Sequence, residues 1–190
     1  MSEVDSDGWG VLAEEMHQEV RTFFASVDEV TSGEAPDSAL PVLLLALGQL
    51  CGAGARIGAL VDVIPEERFE PDAGPDQDLE RTRESLHALL GGLDHYCDLE
   101  DPVLSGEVTG GSLSDDLVSI AADLSHGLEH YRAGQHTEAM WWWQFSYLSS
   151  WGERAASALR VLLTLLAHVR LDAEAEDVME AEMAALHGAG

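Results

Sequence analysis

Apolar residues along this chain recur at intervals of three and four, and no run alternates with period two. That pattern predicts helices and no strands. The strongest stretch covers residues 140–170, MWWWQFSYLSSWGERAASALRVLLTLLAHVR, which has no proline and holds four of the five tryptophans. At 100° per residue, Trp141, Gln144, Phe145, Tyr147, Leu148, Trp151, Ala155, Ala158, Leu159, Leu162, Leu163 and Leu166 share one arc. This arc is wider than the stripe of an ordinary surface helix. Trp142 and Trp143 fall on the opposite arc with Ser146, Ser149, Glu153, Arg160 and Thr164. Two arrangements satisfy them: a central helix covered on both sides, or indoles at a pocket or partner surface, where Trp is enriched. Gly152, Ala155, Ala156 and Ala158 imply a close helix crossing.

The other elements follow from the same period. A first helix, capped by Ser6 or Asp7, runs to about Val30 with Leu12, Met16, Val20, Phe23, Val27 and Val30 as its stripe. A second starts at Ser38 with Pro41 in its first turn and ends before Ile64-Pro65. Its glycines at 48, 52, 54 and 58 read as a close crossing. Residues 39–63 are long and apolar enough to test as a membrane span, but Arg56, the glycines and the absence of a basic flank favour a buried core helix. Residues 65–77, acidic with three prolines, read as an exposed linker. A third helix over 78–97 buries Leu79, Leu86, Leu90, Leu93 and Cys97, with Gly91-Gly92 kinking it or ending it early, and a loop spans 98–111. The fourth is signalled at both ends, by Ser114 as N-cap with Asp115 and Asp116 in the first turn, and by His130 and Arg132 before Gly134. Residues 173–190 read as a C-terminal helix or a frayed tail. The expected fold is a single all-α domain over 1–172, a bundle of five main helices around the Trp-rich one.

Charge narrows the partners. Thirty-six acidic residues face nine basic ones, none of them lysine, for a formal charge of −27. Such a field repels a phosphate backbone, so direct nucleic-acid binding is not expected. The N-terminus has neither a basic n-region nor an apolar h-region, which points to a cytoplasmic protein. Cys51 and Cys97 both fall in helical patterns and read as buried free thiols.

Glu14 with His17, Glu84 with His87, and Asp123 with His126 have the spacing that carboxylate-bridged di-metal bundles use. Their carboxylates lie well off the centre of each apolar stripe, so no metal site is expected. Without lysine there is no phosphate-binding loop of the Gly-x-x-x-x-Gly-Lys type, and no Ser sits in a nucleophile elbow. No catalytic residue and no cofactor are assigned. Arg154, at the edge of the aromatic arc beside Glu153, is placed to pair with a carboxylate or stack on an indole. Gln144 lies inside the apolar arc and needs hydrogen-bond partners.

From Tyr96 onward the chain resembles a bacterial helical family known as domain of unknown function 5063. The resemblance rests on Tyr96 with Asp101-Pro102, on Leu113-Ser114-Asp115-Asp116-Leu117 with Ile120 and Asp123-Leu124, and on Gly134. Its most specific part is Trp141-x-Trp143-x-Phe145 with Trp151-Gly152 and Ala158-Leu159-Arg160-x-Leu162. It implies an all-helical protein without an established activity. Several members carry histidine where this chain has Ser150, Arg154 and Leu163, and an acid in place of Ser157, a departure that favours a binding role here over catalysis.

The leading expectation is a protein-interaction module, self-associating or binding another protein, that uses the surface around Trp142, Trp143, Tyr147 and Arg154. A rival is a small-molecule or metal-dependent enzyme with a pocket between the Trp-rich helix and the helix over 114–132, using Asp115, Asp116, Asp123, Glu153 and Arg154. A third is an acidic mimic of nucleic acid that binds a basic protein.

Overall fold

The computed structural model describes residues 3–59, 62–65, 78–101 and 103–187, with side chains over 10–59, 62–65, 78–101 and 103–171. Helix α1 is Glu3–Thr31, α2 Ala39–Gly58 and α3 Glu80–Leu90; a hairpin of β1 His95–Leu99 and β2 Val108–Ser112 follows, then α4 Leu113–Arg132, α5 His136–Ser146 and α6 Gly152–His187. Five residues in π-helical conformation, Tyr147–Trp151, join α5 to α6. These three pieces run end to end, so the chain is a single, mainly α domain of five main helices. The linker expected over 65–77 lies almost wholly outside the described residues, and the segment beyond residue 173 continues α6 to His187.

One face of each helix supplies the core. Met16, Val20, Phe23 and Val27 of α1 meet Leu43, Leu47 and Leu50 of α2, while Leu117, Ile120 and Leu124 of α4 pack with Trp143, Trp151 and Leu162 in the same cluster. Helix α2 lies between α1 and α6, and α4 lies against α5. The stretch Pro36–Gly58 is long and apolar enough to cross a membrane, yet Leu43, Leu47, Leu50 and Ile57 are spent on the core. Of its glycines, 54 and 58 make the close approach: a Cβ at Gly54 would lie 2.4 Å from the Trp151 ring, and one at Gly58 2.7 Å from Tyr147. Gly48 and Gly52 meet only ordinary contacts.

At the third helix the early end expected at Gly91-Gly92 holds, and the helix end and loop expected beyond it are corrected. The helix stops at Leu90, because Gly91 turns at φ 52°. The chain beyond forms strands where a helix end and a loop were expected, with His95 opposite Ser112 and Leu99 opposite Val108. Cys97 therefore sits exposed on β1 and Leu93 is exposed too, whereas Cys51 is half-buried in α2; both thiols are free. The hairpin is held by Tyr96, whose ring lies against Gly111 so closely that a Cβ there would be 2.4 Å from it.

Helix α4 is capped two residues earlier than Ser114. Ser112, extended at φ −136° and ψ 125°, accepts from the Asp115 N–H through its hydroxyl. Asp94 takes the next position: its carboxylate accepts from the Ser114 N–H at 2.8 Å and from both serine hydroxyls. Midway along α4, Gly127 faces the Trp143 indole, and a Cβ there would lie 2.3 Å from its ring nitrogen. Gly127→Ala is therefore expected to destabilise the fold by about 1–2 kcal/mol in thermal unfolding, since overpacking outweighs the helix propensity gained.

Candidate functional site

The π turn decides where the tryptophans point. One extra residue in the helix rotates everything upstream by about 100° relative to α6. Trp143 thereby swings to the core and becomes fully buried, its indole N–H donating to the Leu124 carbonyl at 3.1 Å. The expectation of Trp143 at a partner surface is overturned: α4 covers the side that a straight helix leaves open. Gln144 is also buried, donating to the Ile57 carbonyl and accepting from the Val63 N–H, both at 2.8 Å. It clamps the end of α2 to α5.

The same rotation carries Phe145 outward. Its ring is 51 % exposed, and Leu148 on the π turn is 63 % exposed. Trp141 stacks on Phe145 at 5.3 Å between ring centres and meets Trp142 edge-on at 5.2 Å, while Trp142 stacks on His126 at 5.1 Å. The result is an aromatic ledge along α5, with Trp142 half-buried at its inner side. Tyr147 is half-buried against Gly54 and Gly58 and belongs to the α2 seam.

Two of the four expected acids are held in separate contacts. Asp115 is exposed and pairs with Arg83 at 3.1 Å. Asp116 is buried, accepts from the Tyr96 hydroxyl and pairs with Arg154 at 3.4 Å. Burial raises the Asp116 carboxyl above its ordinary range against the opposing pull of Tyr96 and Arg154, and burial together with Asp116 raises the Tyr96 phenol. Asp123 lies two turns further along α4, about 10 Å away at helical rise, with one enclosed carboxylate oxygen that meets no donor. Glu153 is exposed on α6. Only Asp116 and Arg154 come together, with Tyr96, which the sequence marked as part of the family resemblance but not as a site residue, as a third member.

Beside them Asp98 of β1 pairs with Arg160 at 2.9 Å and accepts from Ser157, contacts that outweigh the effect of burial and hold its carboxyl below the ordinary range. These pairs pin the hairpin to α6 and leave an open groove of about 650 Å³, lined by Cys97, Asp98, Leu99, Val108, Glu153 and Ala156, with Ser157 and Arg160. The groove lies between the hairpin and α6. The seam between α4 and α5, where a pocket was considered, is filled by the Trp143 indole against Gly127.

The Glu/Asp-x-x-His pairs do not converge. Glu14 accepts from the Tyr131 hydroxyl at 2.5 Å, and that hydrogen bond, with burial, pushes the phenol up to about 12. His17 stacks on Tyr131, and burial lowers its pKa. His87 pairs with Asp94 at 2.8 Å. Among the described residues no group of three or more metal-binding side chains forms.

A family model described as a domain of unknown function, DUF5063, matches residues 9–168. The Bacteroides fragilis protein BF1032, a structural-genomics crystal structure, is similar in fold, with a TM-score of 0.65 at 18% identity over 80% of this chain and 89% of that one. No protein of curated function matches.

Proposed function

The chain belongs to the family of domain of unknown function 5063, and from that premise, which carries no activity to transfer, we propose that it is a non-catalytic protein-interaction module. The observation that carries this reading is the ledge of Trp141, Trp142 and Phe145. It faces solvent in a stretch with no charged residue between Glu138 and Glu153, on a protein of charge −27. Exposed apolar patches with aromatic anchors are typical of contact surfaces. The partner is a second copy or another chain.

The enzymatic alternative receives less support, since Asp115 and Asp116 serve separate ion pairs and Asp123 lies two turns further along α4. Phe145→Asp tests the interaction reading. Native mass spectrometry of the purified protein is expected to show a dimer or a stoichiometric complex that the substitution dissociates, with a change in stability within about 0.5 kcal/mol. A monomer without a stoichiometric partner, or an assembly indifferent to Phe145→Asp, would sink the proposal.

A further inference from the structure

The groove between the hairpin and α6 is independent of the aromatic ledge, and its chemistry is mixed. Leu99, Val108 and Ala156 give it apolar walls. Arg160 is spent on Asp98, and Asp98 also takes the Ser157 hydroxyl. Glu153 is left with no hydrogen-bond or ion-pair partner among the described residues. An unpaired carboxylate beside an apolar wall suits a group with an aliphatic stem and a cationic head, because the stem covers apolar surface while the head stays at the wet rim. The field of a chain at −27 without lysine favours the same sign of charge and speeds its arrival.

Two features decide between a free organic cation and a polypeptide. A small ligand needs a site that encloses most of its surface, and this groove is open along one side. The hairpin has only two strands, so each keeps an edge with no strand partner among the described residues, and an extended segment can add to such an edge. We infer that the groove between Leu99, Val108 and Ala156 receives an arginine or lysine side chain of an extended segment from a partner protein, with its charged head on Glu153.

Cys97, exposed within the groove, reports occupancy directly, and half-buried Cys51 in α2 reports general opening of the fold. The rate of iodoacetamide alkylation at each thiol would be followed by mass spectrometry, with acetyl-Leu-Arg-Leu-amide, its citrulline isostere, or agmatine present. The arginyl peptide is expected to slow Cys97 saturably and leave Cys51 unchanged, while citrulline, isosteric but uncharged, fails. Glu153→Gln should weaken that protection by about fivefold, the range of an exposed ion pair. Glu84→Gln, an exposed carboxylate on α3, removes the same charge from the overall field and should leave the protection nearly intact. The inference is overturned by an unprotected Cys97, by equal protection from the citrulline peptide, by equal losses in the two variants, or by agmatine protecting as well as the peptide. None of these outcomes depends on Phe145, so failure here is distinguishable from failure of the ledge.

Discussion

Trp143→Ala is expected to cost about 3–5 kcal/mol of folding stability, the range for emptying a large aromatic site in a core that relaxes only partly. The indole is fully buried against Gly127 of α4, and its N–H satisfies the Leu124 carbonyl at 3.1 Å. Trp143→Phe keeps most of the apolar contact and gives up that hydrogen bond, so a smaller loss of about 1 kcal/mol follows from the bond alone. Urea unfolding followed by circular dichroism measures both. If Trp143→Ala left the midpoint nearly unchanged while weakening an assembly, the indole would belong to a contact surface and the arrangement of α4 against α5 would be wrong.

Asp94→Ala should cost about 2–4 kcal/mol at neutral pH, because it leaves the buried Ser114 N–H and the two serine hydroxyls without their acceptor. The Asp94 carboxylate is fully buried and holds the Ser114 N–H, the Ser112 and Ser114 hydroxyls and the His87 ring. Without it, the first turn of α4 and the start of the hairpin lose a common anchor. Burial alone would raise this carboxyl, but the hydrogen bonds from His87, Ser114 and Ser112 outweigh it and hold it below the usual carboxylate range. Its contribution is therefore fully present above the unfolded value and is lost as pH falls through the lower folded value. The stability gap between the wild-type protein and Asp94→Asn is expected to be wide at neutral pH and to narrow in acid, below about pH 4. Denaturation midpoints taken across that range would show it. A gap that stays constant would mean that Asp94 acts through shape rather than charge.

The periodicity of apolar positions was a sound guide wherever a helix buries a single face. The stripe Met16, Val20, Phe23 and Val27 in α1 and the stripe Leu117, Ile120 and Leu124 in α4 are both core. Gly54 and Gly58 were legible as a crossing because nothing but a missing side chain lets Tyr147 and Trp151 approach so closely. Gln144 was legible as a polar group in need of partners. The hairpin was not. Two of the five residues of β2 are glycine, which have low strand propensity, and their value appears only when the Tyr96 ring is laid over Gly111.

What the sequence determined by itself is the helical class, the order of the main helices, the core stripes of α1 and α4 and an acidic composition poor in cations. These properties depend on neighbours a few residues apart, and helical periodicity records such neighbours directly. Tertiary structure alone decided which tryptophan is buried, because a single extra residue at Tyr147–Trp151 turns α5 relative to α6, and a wheel drawn through residues 140–170 assumes that no such turn exists. It alone brought Tyr96 and Arg154 to Asp116, and Arg160 to Asp98. Those partners lie between 20 and 62 residues apart, and only the packing of the hairpin, α4 and α6 against one another makes them neighbours.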